Sequence, residues 1–311
     1  MFPMAAFRRV ALSVAGMATA VFIVTVPAHG QDPDLPPGII SKEPAKTSME
    51  HVWKINATPA FFEALAEQPD HGPTINLNFL RYRPRGDGTR YGLYGGPAGE
   101  GIVGVGGDVI YHAEGITDMD PIFEFSEDWD GVAYAMYPRR AAYLQLQRDT
   151  AYQLAIPDRV AGNYERMLYV LSDGEAIYDA TGSITNFHET CTRVVATPDN
   201  VVVSEFLRFK EDGGRESYEQ FAAAFQPMLE AAGGSVVLSV RAEMPIVSEE
   251  YWDHFVTFVF PSKDVLTHLY QSGEFNEINA MRIAGLDATL AVLSTPQIMP
   301  ATDCGGGRRF G

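Results

Sequence analysis

The chain has 311 residues, 46% of them hydrophobic and 11% aromatic, the make-up of a globular protein and not of a disordered one. Its 40 acidic against 23 basic residues give a formal net charge of −17, which argues against nucleic acid and anionic membrane surfaces as partners, since both require basic patches. Two cysteines, Cys191 and Cys304, are too few and too far apart for a metal signature; in an oxidising compartment they could pair, tying a central linker to the C-terminal tail.

Residues 1–30 read as a cleavable export signal. Arg8 and Arg9 precede an uncharged, mostly apolar run from Val10 to Val26, and Pro27-Ala28-His29-Gly30 offers small residues before a cut. The run is short for a spanning helix and is diluted by Ser13, Gly16 and Thr19. Removing it takes the net charge from −17 to −19, because it carries two arginines and no acid. The expected location is periplasmic or secreted. Residues 31–72 form an extension with a short helix near Ala60 to Gln68.

The rest of the chain repeats itself. Phe79-Leu80-Arg81-Tyr82-Arg83 recurs as Phe206-Leu207-Arg208-Phe209-Lys210, an offset of 127 that also relates Tyr91 to Tyr218 and Gly106-Gly107 to Gly233-Gly234. After a four-residue deletion the offset becomes 123, relating Trp129-Asp130 to Trp252-Asp253, Pro138 to Pro261 and Arg159-Val160-Ala161-Gly162 to Arg282-Ile283-Ala284-Gly285. So many matches in one order define a duplication. Strands are predicted at 74–83, 108–114, 130–137 and 167–171, and again at 200–210, 235–241, 253–260 and 289–293. The second copy has a clear helix carrying Tyr218, Phe221, Ala222, Phe225 and Leu229 at helical spacing, ended by Gly233-Gly234. Further helices are predicted over Arg140–Ala155 and Lys263–Asn279, opened by the two prolines. In the first copy, Tyr91 to Gly107 holds eight glycines and Pro97, which predicts a loop or broken helix, a possible lid.

The order is β-α-β-β-α-β twice, an α+β fold of two ferredoxin-like units, at 73–173 and 200–297, with a linker at 174–199 and a tail at 298–311. Each unit leaves one sheet face bare, so two copies can cover each other sheet to sheet as a pseudo-symmetric barrel within one chain, a monomer with an internal pseudo-dimer.

These residues resemble a bacterial family, the domain-of-unknown-function family 1330 of the dimeric α+β barrel group. The resemblance rests on Leu80-Arg81-Tyr82, Gly106-Gly107, Trp129-Asp130 and the spacing Tyr152-x₆-Arg159. The second copy matches more loosely, with Phe275 in place of the tyrosine although Arg282 is kept. It implies the fold and, by analogy, a small-molecule pocket; the wider group includes cofactor-free monooxygenases, isomerases and lyases, and haem-binding members. No catalytic set carries over from it.

Strand alternation selects candidate residues. With Ile75, Leu77 and Phe79 directed to the helices, Asn76, Asn78, Leu80 and Tyr82 would face the barrel interior, as would Val203, Glu205, Leu207 and Phe209 in the second copy. Val109, Tyr111 and Ala113 would likewise meet helices, leaving Ile110, His112 and Glu114 inward, opposite Val237, Ser239 and Arg241. Tyr134 and Thr257 also face inward in this reading. Glu205 and His112 are then the candidate acid–base pair and Asn78 the orienting group, with Asn76, Tyr82, Tyr134 and Arg241 as substrate contacts. The bland alternative is a polar seam between two sheets. Arg81, Arg208, Tyr152 and Arg159 read as structural.

Gly99-x-Gly101-x-x-Gly104 imitates a dinucleotide fingerprint but lies in no βαβ unit, and no zinc, phosphate-loop or nucleophile-elbow motif occurs; His188-Glu189 is too isolated for a metal. No cofactor or metal is therefore expected. The functional expectation is a small-molecule enzyme working by cofactor-free proton transfer (isomerase or lyase) or oxidation on an aromatic or carbonyl compound. Two alternatives stand beside it: a non-catalytic binding protein, and a structural partner with a filled barrel.

Overall fold

The computed structural model describes residues 55–70, 72–83, 87–117, 126–180, 199–248 and 250–298, without the side chains of 87–89, 297 and 298. The signal segment, both cysteines, His188-Glu189 and the tail beyond Ile298 fall outside these residues. The first unit follows a short helix α1 (Pro59–Glu67) and runs β1 (Thr74–Tyr82), α2 (Asp87–Gly104), β2 (Asp108–Gly115), β3 (Gly131–Tyr137), α3 (Arg140–Leu146), α4 (Thr150–Gly162), β4 (Asn163–Ser172). The second runs β5 (Val201–Phe209), α5 (Gly214–Ala231), β6 (Ser235–Val247), β7 (His254–Phe260), α6 (Lys263–Gln271), α7 (Gly273–Gly285), β8 (Leu286–Ile298).

All eight strands close into one antiparallel barrel in the order β1-β3-β2-β8-β5-β7-β6-β4. The two units meet face to face, as expected, and are also stitched edge to edge. The strands that do this are longer than the sequence predicts. The end of β6, Ala242 to Val247, pairs with Leu171 to Leu168 of β4, and the end of β8, Ser294 to Ile298, pairs with Gly115 to His112 of β2. Closure leaves no sheet edge unpaired.

The repeated motifs have duplicated physical jobs. Asp130 and Asp253 each accept a hydrogen bond from the backbone at the end of the preceding unit strand, Tyr82 N at 2.6 Å and Phe209 N at 2.8 Å. Arg81 and Arg208 lie over the Trp129 and Trp252 rings, 4.5 and 5.4 Å from the centroids, and make exposed ion pairs, a structural role. In each Gly-Gly pair the first glycine has positive φ (83° at Gly106, 77° at Gly233), and the second is pressed against backbone so closely that a Cβ on Gly107 would sit 2.5 Å from Met136 O.

Two helix predictions change. The long helix expected after each proline is split in two, because Asp149 and Ser272 cap new N-termini, accepting from Tyr152 N at 2.8 Å and Phe275 N at 3.1 Å. The glycine-rich segment expected as a loop is helical as α2. Packing overrides propensity there: Tyr94, Ala98 and Ile102 recur on one buried stripe against α4 and the sheet, while a Cβ at Gly92, Gly95, Gly96 or Gly99 would meet nothing within 4 Å. Gly95→Ala and Gly96→Ala should therefore each stabilise the protein by about 0.4–1 kcal/mol, read as a higher denaturant midpoint. A loss of stability would mean that α2 is not helical.

The barrel interior is packed with aromatic side chains. Phe206 at its centre stands 5.9 Å from Phe79, 5.1 Å from Tyr169, 5.7 Å from Trp252 and 4.8 Å from Phe255, centroid to centroid. Most of its hydroxyls satisfy one another: Tyr134 OH bonds Ser204 and Thr257, and Tyr111 OH lies 2.8 Å from Ser294 Oγ.

Candidate functional site

The faces of β1 and β5, and of β2 from Tyr111 onward, are the reverse of the sequence expectation, whereas Val109, Ile110, Val237, Tyr134 and Thr257 face as expected. Ile75, Leu77, Phe79, Tyr111 and Ala113 line the barrel interior, and Asn76, Asn78, Val203, Glu205 and Leu207 point under the helices. Alternation separates two faces but does not say which faces what, and on β1 and β5 both are buried from residue 74 to 80 and 201 to 207. The more apolar face goes inward, because only the helix layer supplies polar partners. Bulges at Val109/Tyr111 and Val236/Leu238 turn Ile110 and Val237 toward the interior as well.

The predicted acid–base set is consequently dispersed. Glu205 lies beneath the second-unit helices, ion-paired with Arg282 and accepting from Thr289 Oγ1 at 2.7 Å, so it is a structural counter-ion. Asn78 lies beneath the first-unit helices, its Oδ1 accepting from Arg166 Nε at 2.9 Å. His112 is on the outer side of β2, its pKa lowered by burial and its buried Nδ1 unpartnered among the described residues. Glu114 and Arg241 are exposed on the outside. Tyr82 ends β1 half-buried, its phenol pushed up to about 12 by burial and by Asp130 and Glu114. Tyr134 and Thr257 do face inward, but in a filled interior where burial raises the phenol strongly. His254 is buried on Ser239, 2.9 Å away, and burial with Arg215 lowers its pKa to about 3. Among the described residues no group of three or more His, Cys, Asp or Glu side chains could hold a metal ion.

A polar site does exist, in the chamber between the first unit's sheet and its helices. Arg159, near the end of α4, is 4% exposed; its Nη1 donates to Tyr152 OH at 2.8 Å and Tyr94 OH at 3.0 Å, and its Nε donates to Asn56 Oδ1 at 3.0 Å. Arg166, on β4, is 7% exposed and donates to Asn78 and to Ile55 O. Among the described residues no carboxylate pairs with either guanidinium. Both act on the same phenols, Tyr91, Tyr94, Tyr143 and Tyr152. Burial raises all four, and only at Tyr152 do the lowering effects win: Arg159, Arg166 and the hydrogen bond with Tyr94 bring that phenol down to about 8. Asn76, on the same face of β1, is 3% exposed and neither of its amide atoms has a hydrogen-bond partner among the described residues. Outside this chamber an open cleft of about 420 Å³ runs between α2 and the α3–α4 corner, past Gly101, whose Cα side abuts Tyr152.

Sequence reasoning singled out Asn76 and Asn78 but missed Arg166 and undervalued the Tyr152–Arg159 pair. The available signal was the divergence between copies: Tyr152 against Phe275, Asn78 against Glu205.

The closed eight-stranded α+β barrel expected from the sequence is the observed architecture. Residues 213–296 match the family described as "Domain of unknown function (DUF1330)", a match that lies in the second unit. A protein of unknown function from Rhodopseudomonas palustris is similar at 28% identity and a TM-score of 0.35, over 39% of this chain and 97% of that one. An anthrone oxidase-like protein is similar at 8% identity and a TM-score of 0.48, over 75% of this chain and 97% of its own. A mutant chlorite dismutase from Candidatus Nitrospira defluvii is similar at 12% identity and a TM-score of 0.39, over 76% and 95%. No curated protein matches the chain.

Proposed function

We propose that the protein is a small-molecule enzyme that works by proton transfer in the first-unit chamber, with Tyr152 as the acid–base group. The observation that carries this reading is the Arg159–Tyr152 contact of 2.8 Å, with Arg166 acting on the same phenol and no carboxylate on either arginine among the described residues, which holds the phenol near a working pKa of about 8. The phenolate form accepts a proton from a carbon or hydroxyl acid. Arg159 and Arg166 are placed to stabilise the enolate or phenolate oxygen that results. Tyr91, Tyr94 and Tyr143 supply ring faces suited to an aromatic or carbonyl compound. The second unit has Phe275 where the first has Tyr152, so only one half of the barrel would turn over. Whether the carbanion is reprotonated, as in an isomerase, expels a group, as in a lyase, or meets dioxygen depends on the substrate. The same proposal takes residues 1–30 as an export signal and places the enzyme in the periplasm or outside the cell.

The phenol can be tested without knowing the substrate. Phenolate absorbance should show one tyrosine titrating near pH 8, absent in Tyr152→Phe. Because this acid's pKa is depressed from 10.0 on folding, its stabilising effect is present above pH 10 and is lost as pH falls through 8. Stability should therefore climb between those values in the wild type and less so in the variant. Deuterium exchange into a panel of enolisable aryl ketones and hydroquinones should follow the same titration, and Tyr152→Phe should slow it by roughly 10²-fold or more. Exchange that survives Tyr152→Phe unchanged would sink the reading.

A further inference from the structure

The two halves of the barrel are a built-in comparison. In the second unit, Arg282 on α7 is answered by Glu205 on β5 and Thr289 on β8, and the space around them is filled by Phe221, Phe225 and Phe275. That chamber is neutral and closed on itself. In the first unit the helix arginine is kept as Arg159, but the strand carboxylate has become Asn78. At the position of Thr289 stands a second guanidinium, Arg166, and at the position of Val203 stands Asn76. The register confirms the equivalence: Leu80 pairs with Arg166 as Leu207 pairs with Thr289, and Asn76 with Val170 as Val203 with Leu293. The aromatic rings have gained hydroxyls, with Tyr94 for Phe221 and Tyr152 for Phe275.

Every one of these differences adds a hydrogen-bond donor or removes a negative charge. Among the described residues the two buried guanidiniums meet neutral acceptors only, which is costly in a low-dielectric chamber unless an anion joins them. A general excess of basic residues does not explain it, since the chain is strongly acidic. Asn76, buried and unpartnered, points from β1 toward the same helix layer, where its strand neighbours Ala135 and Val170 pack. An orphaned amide thus shares a strand face with Asn78, the acceptor for a guanidinium that has no carboxylate partner among the described residues, which suits the binding of a further acceptor.

Resting on the reading that this chamber is the working site, we propose that it binds a small organic carboxylate against Arg159 and Arg166, as the counter-ion that Glu205 supplies in the second unit, with the Asn76 amide as a further donor. A carboxylate suits the site better than a neutral carbonyl because it supplies the negative charge that neither guanidinium meets among the described residues. Ligand and Tyr152 phenolate are alternative counter-ions for the same charges, so occupancy and ionisation oppose each other.

The test is calorimetric titration of the full chain with acetate and benzoate, each against its neutral amide, acetamide and benzamide, at pH 7 and above the Tyr152 titration. At least one carboxylate should bind tenfold or more tightly than its amide at pH 7, and less tightly at the higher pH. Asn78→Glu recreates the second unit's internal carboxylate, so the variant should remain folded and lose carboxylate binding by tenfold or more. Equal binding of acid and amide, no binding of any of the four, or carboxylate affinity unchanged in Asn78→Glu would each overturn the proposal. Carboxylate binding without a tyrosine titrating near pH 8 would support this inference while refuting proton transfer by Tyr152. The titration without carboxylate selectivity would do the opposite.

Discussion

Phe206→Ala should cost about 3–5 kcal/mol of stability, as truncation of a fully buried aromatic ring does when its surroundings cannot collapse into the space. The collapse is opposed here by the barrel itself. Phe206 is 0% exposed and touches Phe79, Tyr169, Trp252 and Phe255, which come from β1, β4, and β7 with its approach, and so from both units. The rings cannot move inward without bending a hydrogen-bonded wall that has no free edge. Phe79→Ala, the pseudo-symmetric change, should cost a similar amount. The double variant should depart from additivity, because the two rings are 5.9 Å apart and share a cavity once truncated. Urea unfolding of the three variants measures this. A loss below about 1 kcal/mol for Phe206→Ala would show that the interior is not packed, and would restore the barrel interior as a place for a ligand.

Glu205→Gln should be as damaging for a different reason. Glu205 and Arg282 are 4% and 5% exposed, and removing one charge leaves the other buried without compensation, a loss of about 3–5 kcal/mol. Replacing both, as Glu205→Met with Arg282→Met, removes the desolvation cost together with the attraction and should recover most of that loss. The comparison separates a structural ion pair from a catalytic carboxylate. If Glu205→Gln folded with wild-type stability, the pair would be worth no more than an exposed one, and the sequence reading of Glu205 as an acid–base group would return.

These results bear on why one half diverged. The second unit balances its arginine's charge with a carboxylate of its own, Glu205. The first unit has given up the neutralising carboxylate and keeps a helix, α2, in which glycine stands at five positions where a side chain would fit. Local stability is lower where function requires access, and α2 covers the chamber that holds Arg159.

Sequence alone determined the duplication, the α+β class and the eight strands, because the repeats in Leu-Arg-Tyr/Phe, Gly-Gly, Trp-Asp and Arg-x-x-Gly report backbone constraints that recur in both copies. Gly107 and Gly162 are examples: a Cβ on either would press into backbone, at 2.5 Å from Met136 O and 2.7 Å from Tyr91 N, wherever the rest of the fold lay. Tertiary structure alone decided three things. It set which face of β1 and β5 looks inward, since both faces are buried and a period of two carries no sign. It lengthened β6 and β8, since those residues are strand only because β4 and β2 of the other unit lie beside them. And it brought Arg166 to Arg159 and Tyr152, a meeting of β4 with α4 that no local spacing encodes, and from which the charge of the chamber follows.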